Sequence, residues 1–171
     1  MKTKVKKAFS AKDIERRVAA LGAEIRSDAG DDVVFLLGIL KGAAPFLGDL
    51  LRNIDGEVGY GFIDVVRDEA DTEVAAALEI DFLSHTDITR KKVYVLKDVV
   101  STGIIENYLL TQLRQKSPTD LKLVALLDRP NLRTVELDTD FSAFKVEEGS
   151  FVGYGLEYQG RHGNLPYIGK L

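Results

Sequence analysis

The sequence contains no cysteine and no tryptophan, and it has one methionine, two histidines and four prolines among its 171 residues. The lack of cysteine excludes disulfide bonds, a thiolate nucleophile, and zinc or iron–sulfur sites built on cysteine. No apolar run approaches the roughly 20 residues that a membrane-spanning helix requires. The charged N-terminal segment, residues 1–7, is not followed by an apolar run, so we expect no secretory signal and a cytoplasmic protein.

The charge balance argues against nucleic acid as a partner. The formal net charge is -4, whereas nucleic-acid binding requires a basic face. The basic run at residues 90–92 is short, and we interpret it as the solvated start of a strand. Hydrophobic residues make up 45% of the chain and charged residues 29%, as in an ordinary globular protein. The length suits a single domain over residues 1–171 with a core of its own.

Strand-like and helix-like segments alternate along the chain. Ser10 and Asp13 resemble a capping box, and the apolar spacing after them predicts a first helix that ends near Ser27. The apolar residues 33–40 predict a buried parallel strand, and Pro45 is expected to begin a second helix. Further segments are predicted as strands at residues 58–65, 75–82, 93–96 and 121–127, and as a helix at residues 104–115.

This alternation predicts an α/β fold, with a mainly parallel twisted sheet flanked by helices. Ligands are then expected at the carboxyl ends of the strands. The polar residues 67–72 are predicted to form a mobile loop between two antiparallel strands. The glycine-rich residues 153–169 are predicted to be irregular.

One short turn of the predicted sheet has the character of an anion site. Ser101, Thr102 and Gly103 separate a strand from the helix that begins near Ile104. Such a turn offers free backbone N–H groups, hydroxyls and the positive end of a helix dipole to one anion. Lys41 and its glycine neighbour lie in a similar place, between the strand at residues 33–40 and the helix after it.

Three motifs, in this order and spacing, resemble those of the hypoxanthine-guanine phosphoribosyltransferase family. They are Gly38-Ile39-Leu40-Lys41-Gly42, Leu126-Leu127-Asp128-Arg129-Pro130 and Val152-Gly153-Tyr154-Gly155-Leu156-Glu157-Tyr158. The similarity extends over residues 33–171. It implies the type I phosphoribosyltransferase fold with a small C-terminal hood region. It also implies that a purine base is joined to the ribose of phosphoribosyl pyrophosphate with release of pyrophosphate, with Mg²⁺ on the pyrophosphate, in a homodimer or homotetramer.

The resemblance also implies roles for the residues at matching positions. The pyrophosphate turn corresponds to Leu40, Lys41 and Gly42, and the 5′-phosphate loop to Ser101, Thr102, Gly103, Ile104 and Ile105. The ribose-binding pair corresponds to Lys97 and Asp98. The purine-binding residues correspond to Arg129, Ser150 and Phe151. The carboxylate that helps to position Mg²⁺ corresponds to Glu157, which stands in place of the family's aspartate and is one methylene longer.

Several of these positions depart from the family's pattern. Ser101 stands in place of the general base, whose loss removes a contribution of about 10²–10⁴-fold in rate. Lys97 replaces an acidic residue, so Asp98 either contacts the ribose or merely pairs with Lys97. Ile105 replaces a hydroxyl residue that would add a charge-assisted hydrogen bond of about 1.5–3 kcal/mol.

Further departures lie towards the C-terminus and in one loop. Gly163 stands in place of an arginine that contacts pyrophosphate, and Arg161 lies two residues earlier. Arg129 replaces a lysine, and a planar guanidinium does not reach a carbonyl oxygen as an ammonium does. The serine-tyrosine pair of the family's mobile loop has no clear counterpart in residues 65–75.

Two functions therefore remain open from the sequence. The favoured hypothesis is a protein of this family that binds a purine nucleotide or a phosphoribosyl ligand, with catalysis reduced or lost, because the departures fall in several loops. The alternative is an active purine phosphoribosyltransferase that makes inosine or guanosine monophosphate for purine salvage, with positioning and electrostatics compensating for the missing base.

Overall fold

The computed structural model describes residues 5–67, 78–81, 86–147 and 149–171. Its strands are, in chain order, β1 (Lys6–Phe9), β2 (Val34–Ile39), β3 (Val58–Arg67), β4 (Leu78–Asp81), β5 (Lys92–Val100), β6 (Asp120–Asp128), β7 (Phe141–Lys145), β8 (Phe151–Val152) and β9 (Ile168–Lys170). Its helices are α1 (Ala11–Ala29), α2 (Ala44–Leu51) and α3 (Ile104–Arg114), with a 3-10 turn at Pro130–Leu132. Among these helices, none is long and apolar enough to cross a membrane.

The central sheet has the strand order β4-β3-β2-β5-β6-β7. The five strands from β3 to β7 in that order are parallel, and β4 pairs antiparallel with β3. All six residues of β2 are buried, as expected for a strand that is covered on both faces. The predicted α/β fold around a mainly parallel sheet is confirmed.

Local sequence signals explain where the helices begin and end. Ser10 Oγ accepts a hydrogen bond from the Asp13 backbone N–H at 3.2 Å, and the Asp13 carboxylate accepts one from the Ser10 N–H at 3.0 Å. This is the predicted capping box, and it fixes the start of α1. The helix ends at Ala29, two residues beyond the predicted end near Ser27, and Gly30 follows it as the cap with a positive φ of 62°.

Helices cover both faces of the sheet. The apolar side of α1 packs with α2 on one face, where Ile14, Val18, Leu21 and Ile25 join the core around Leu36. Leucines of α3 pack on the other face with Leu37 and Val95. The polar carboxyl ends of β2, β5 and β6 are left at one edge of this layered core, which is where the predicted ligand turns lie.

A second, smaller sheet joins the two ends of the chain. Its strand order is β1-β9-β8, with both pairs antiparallel. The residues at 153–169 were predicted to be irregular, but Ile168 and Gly169 belong to β9. Strand β1 was not predicted at all, because it has only four residues, two of them lysines. The expected hood therefore includes the N-terminal strand as well as the C-terminal segment.

The edges of the central sheet were harder to predict than its centre. Strand β7 was missed, whereas β4 falls inside the predicted strand at 75–82 and is antiparallel to β3, as expected. Most of the predicted loop at 67–72 lies outside the described residues.

Two helical glycines give opposite predictions for stability. An added Cβ at Gly22 in α1 would lie 2.2 Å from the backbone oxygen of Asn53, so Gly22→Ala is expected to lower the free energy of unfolding by about 1–3 kcal/mol. An added Cβ at Gly48 in α2 meets nothing within 4 Å, so Gly48→Ala is expected to raise it by about 0.5–1 kcal/mol. Urea denaturation of both variants measures the difference. A stabilising Gly22→Ala would contradict the close packing of α1 on Asn53.

Candidate active site

The residues predicted to bind ligand gather at the carboxyl ends of neighbouring parallel strands. Residues 40–42 follow β2, residues 101–103 follow β5, and Arg129 follows β6. In the sheet β5 lies between β2 and β6, so the three segments are side by side. Residues 149–163, which contain β8 and part of the segment between β8 and β9, complete the group.

The predicted pyrophosphate turn packs directly against the predicted ribose carboxylate. Leu40 donates its backbone N–H to the Ile63 oxygen at 2.9 Å, and the Leu40-Lys41 peptide bond is cis. An added Cβ at Gly42 would lie 2.0 Å from Asp98 Oδ2. Only glycine therefore fits at this position while the two turns keep their present separation.

Asp98 is paired with its neighbour on β5. Lys97 Nζ lies 2.5 Å from Asp98 Oδ1, which also accepts the Val99 backbone N–H at 2.8 Å. The two side chains are 20% and 23% exposed, so a ligand can still reach them. Of the two possibilities for Asp98, pairing with Lys97 is what the geometry contains, and contact with a ribose stays a prediction.

The turn at residues 101–103 keeps the backbone form of an anion cradle. Gly103 caps α3 with a φ of 81°, and an added Cβ there would lie 3.1 Å from Val135 and 3.2 Å from Arg133 and Leu137. A helix leaves its first N–H groups without intrahelical partners; here the Ile104 N–H lies 3.5 Å from Thr102 Oγ1, and the Glu106 N–H donates to its own carboxyl. Ile105 lies in this first turn of α3, where the missing hydroxyl would be.

Arg133, which was not predicted from the sequence, holds this turn by hydrogen bonds to backbone oxygens. Its Nη1 donates to the Ser101 oxygen at 2.6 Å and to the Val100 oxygen at 3.1 Å. Its Nη2 binds the carboxylate of Asp128, which is 3% exposed and also accepts the Thr139 hydroxyl at 2.9 Å. The buried ion pair has its remaining hydrogen-bonding groups satisfied, as such pairs require.

Glu106 is a second residue that the sequence analysis missed. It lies in the first turn of α3 and is only 5% exposed. Loss of hydration on burial raises the pKa of its carboxyl, against smaller opposing effects of its own backbone N–H, Lys97 and Arg133. A signal was available, because Glu106 shares helical spacing with the buried Leu109 and Leu113.

Two of the three predicted purine-binding residues contact each other. The Arg129 guanidinium lies over the Phe151 ring, 5.3 Å from its centroid, and also binds the Gly149 oxygen. Arg129 Nε is buried and has no hydrogen-bond partner among the described residues. Ser150 is exposed, and its carbonyl oxygen accepts the Leu171 N–H at 2.9 Å. Arg129 and Phe151 thus form a stacked pair that leaves Ser150 outside it.

Glu157 links the C-terminal segment to the pyrophosphate turn. Its Oε2 lies 2.7 Å from Lys41 Nζ. An added Cβ at Gly163 would lie 2.8 Å from Glu157 Cγ, so the longer carboxylate side chain occupies the space beside that glycine. The two departures from the family's pattern are therefore in contact. Arg161 is exposed and pairs through its backbone with Tyr158.

The same segment is anchored on α2 and on the pyrophosphate turn. Tyr154 donates its hydroxyl to Asp49 at 2.6 Å, and burial together with this carboxylate raises the pKa of the tyrosine. An added Cβ at Gly155 would lie 2.6 Å from the Gly42 oxygen. These contacts hold residues 149–163 against the rest of the site.

The donor set does not fit a dedicated magnesium site. Within the described ranges, no group of three Asp, Glu, His or Cys side chains is placed to hold a metal ion. Glu157 is the carboxylate predicted to position the metal and Asp98 the one predicted to contact the ribose, and each carries a lysine ammonium at hydrogen-bond distance. Magnesium requires near-octahedral oxygen ligands at about 2.1 Å, which a bound ammonium obstructs. Residues 68–75, part of the segment that lacks the serine-tyrosine pair, lie outside the described residues.

Comparisons with known proteins agree on one family. The model of the phosphoribosyl transferase domain matches residues 6–159. A hypoxanthine-guanine phosphoribosyltransferase of Bacillus subtilis is 34% identical over 172 residues, covering 100% of this chain and 96% of that protein. Another, of Staphylococcus aureus (strain Mu50), is 33% identical over 93% of this chain and 89% of its own. A crystal structure of such an enzyme from Bacillus anthracis has a TM-score of 0.89 at 28% identity, covering 98% of this chain and 99% of that one.

The Asp128–Arg133 pair gives a prediction for stability. Arg133→Met is expected to lower the free energy of unfolding by about 3–5 kcal/mol, because it leaves Asp128 buried without a counter-charge. Adding Asp128→Asn should restore part of this loss. Arg16→Met breaks an exposed pair with Asp13 and serves as the control, for which little change is expected. Equal effects of Arg133→Met and Arg16→Met in urea denaturation would contradict the stabilising role of the buried Asp128–Arg133 pair.

Glu106 gives a prediction for pH dependence. Its folded-state pKa is raised, so its contribution favours folding at low pH and is lost as the pH rises through that pKa. Glu106→Gln removes this loss, so the stability of the variant relative to the natural protein should increase between about pH 4 and about pH 8. Thermal unfolding across that range measures it. A pH-independent difference would show that Glu106 keeps its charge without cost.

Proposed function

Because the chain belongs to the hypoxanthine-guanine phosphoribosyltransferase family, we propose that it binds a purine nucleotide or a phosphoribosyl ligand and transfers the ribosyl group slowly or not at all. Assembly into a homodimer or homotetramer and a cytoplasmic location stay predictions. So does the expectation of Mg²⁺ as a cofactor, which the lysine-paired carboxylates do not favour.

The observation that carries this proposal is the environment of Ser101. Among the described residues, no side chain accepts a hydrogen bond from its hydroxyl, and its carbonyl oxygen is held by Arg133. A serine hydroxyl without a partner base takes up no proton at neutral pH, so it cannot replace a carboxylate as the general base. Asp98, three residues earlier, is occupied by Lys97 and the Val99 N–H.

Binding is supported by features that do not depend on that base. Thr102 and Gly103 lead into the start of α3, where the helix dipole favours a phosphate. The Lys41 side chain is 76% exposed, so it can exchange Glu157 for an incoming anion. Arg129 and Phe151 supply a flat cationic and aromatic surface of the kind on which a purine ring stacks.

A second candidate function, an active purine phosphoribosyltransferase, is favoured by the same intact turns. Positioning of two substrates and preorganised charge supply a large part of the rate of such reactions without a proton transfer. The whole-length likeness to proteins named hypoxanthine-guanine phosphoribosyltransferase supports this candidate equally. Measured turnover separates the two.

The test is nucleotide synthesis from phosphoribosyl pyrophosphate and hypoxanthine, guanine or xanthine, with calorimetric titration of inosine monophosphate alongside. We expect binding with little turnover, and a rise of about tenfold or more in rate for Ser101→Asp, since a carboxylate restores part of the general-base contribution. Ser117→Asp, an exposed position before β6, is the matched control without effect.

Ordinary enzymatic rates for the natural protein would establish the second candidate instead. Failure to bind either inosine monophosphate or phosphoribosyl pyrophosphate would overturn both functions. If binding is observed but Ser101→Asp gives no increase, combining it with Lys97→Glu tests whether the altered ribose pair limits the rate.

A further inference from the structure

We infer that this site binds a diphosphate-bearing sugar without a divalent cation, because the Lys97 ammonium supplies the positive charge that a metal would otherwise bring. The inference rests on the proposed function, since it concerns how the same phosphoribosyl ligand is held. It begins from the disagreement between the expected Mg²⁺ and the residues that are present.

Lys97 and Asp98 form a pair of opposite charges just after the middle of β5. Two adjacent carboxylates would carry two negative charges and would need a divalent cation to become neutral before an anion could approach. Lys97 and Asp98 reach neutrality by themselves, with Nζ and Oδ1 2.5 Å apart. A sugar diphosphate therefore meets no net repulsion from this pair when metal is absent.

Lys97 and Asp98 also lie close to the predicted pyrophosphate turn. Asp98 Oδ1 contacts the Lys97 ammonium, and Asp98 Oδ2 is the atom that an added Cβ on Gly42 would meet at 2.0 Å. One carboxylate group therefore separates the ammonium from the predicted pyrophosphate turn. The Lys97 side chain is 20% exposed, so it is partly accessible to a ligand.

Glu157, the other carboxylate of the site, is also paired with a lysine. Its Oε2 holds Lys41 Nζ at 2.7 Å, and its Cγ packs beside Gly163. A divalent cation at Glu157 would have to displace a lysine from it. This competition applies until an anion draws Lys41 away from Glu157.

The buried Glu106 sets the balance of charge around Lys97. Lys97 and Arg133 are the cations that act on its carboxyl, and Asp98 is the anion. Removing the ammonium at position 97 would leave Asp98 without its ion-pair partner and would leave the buried Glu106 with Arg133 as its cationic neighbour. Lys97 is therefore the residue on which metal-free affinity depends most.

The experiment is calorimetric titration of the full chain with phosphoribosyl pyrophosphate, once with excess EDTA and once with excess magnesium. We expect dissociation constants that agree within about threefold. Lys97→Gln should weaken binding in EDTA by about tenfold or more, since it removes a charge-assisted contact. Lys97→Glu should weaken it further and make binding depend on magnesium. Lys12→Gln, at an exposed position on α1, is the control and should leave both constants unchanged.

The outcomes distinguish this inference from the proposed function. Binding by the natural protein in magnesium only would overturn the inference and leave the proposed function intact. No binding under either condition would overturn the proposed function itself. Metal-free binding that Lys97→Gln leaves unchanged would show that another group supplies the charge and would overturn the role of Lys97. The comparison of the natural protein in the two buffers does not depend on whether any variant folds.

Discussion

The site depends on the contact between Gly42 and the Asp98 carboxylate. The two residues follow adjacent parallel strands, whose register pairs Gly38 of β2 with Leu96 of β5. Because position 42 has no side chain, the turn after β2 approaches the carboxylate to van der Waals distance. The Gly42 oxygen in turn packs against Gly155, where there is again no room for a Cβ. Three chain segments are therefore in contact here, and this contact positions the charged side chains around it.

The departures from the family's pattern are connected in space, although they are far apart in sequence. Glu157 is longer than the aspartate it replaces, and it lies over Gly163, where an arginine is absent. Its charge is taken up by Lys41. Lys97, which replaces an acid, is neutralised by Asp98. From the sequence alone, these substitutions are separate losses of ligand-binding groups. In the structure they form two local sets, Glu157 with Gly163 and Lys41, and Lys97 with Asp98, and each set is well packed and has its charges paired.

The sequence predicted the centre of the fold better than its edges. Long apolar strands such as β2 and the capped helix α1 have strong local signals, because each buries a continuous face. Strands β1 and β8 are too short for any periodicity, and they form only because the two ends of the chain pair through β9. The role of Arg133 could not be predicted either, because its partners Val100 and Ser101 are distant in sequence and only folding brings them together.

Anion binding and proton transfer rest on different parts of this chain, so one can be kept when the other is lost. The cradle at residues 101–103 is made by backbone N–H groups, by Gly103 and by the end of α3, and Arg133 holds its carbonyl oxygens in place. A substitution at position 101 leaves all of these interactions intact, because they involve the backbone. The general base, in contrast, is a single side chain with no support from the fold. In the proposed function, serine at this position lacks the proton acceptor, whereas the contacts of the predicted phosphate turn are made by the backbone.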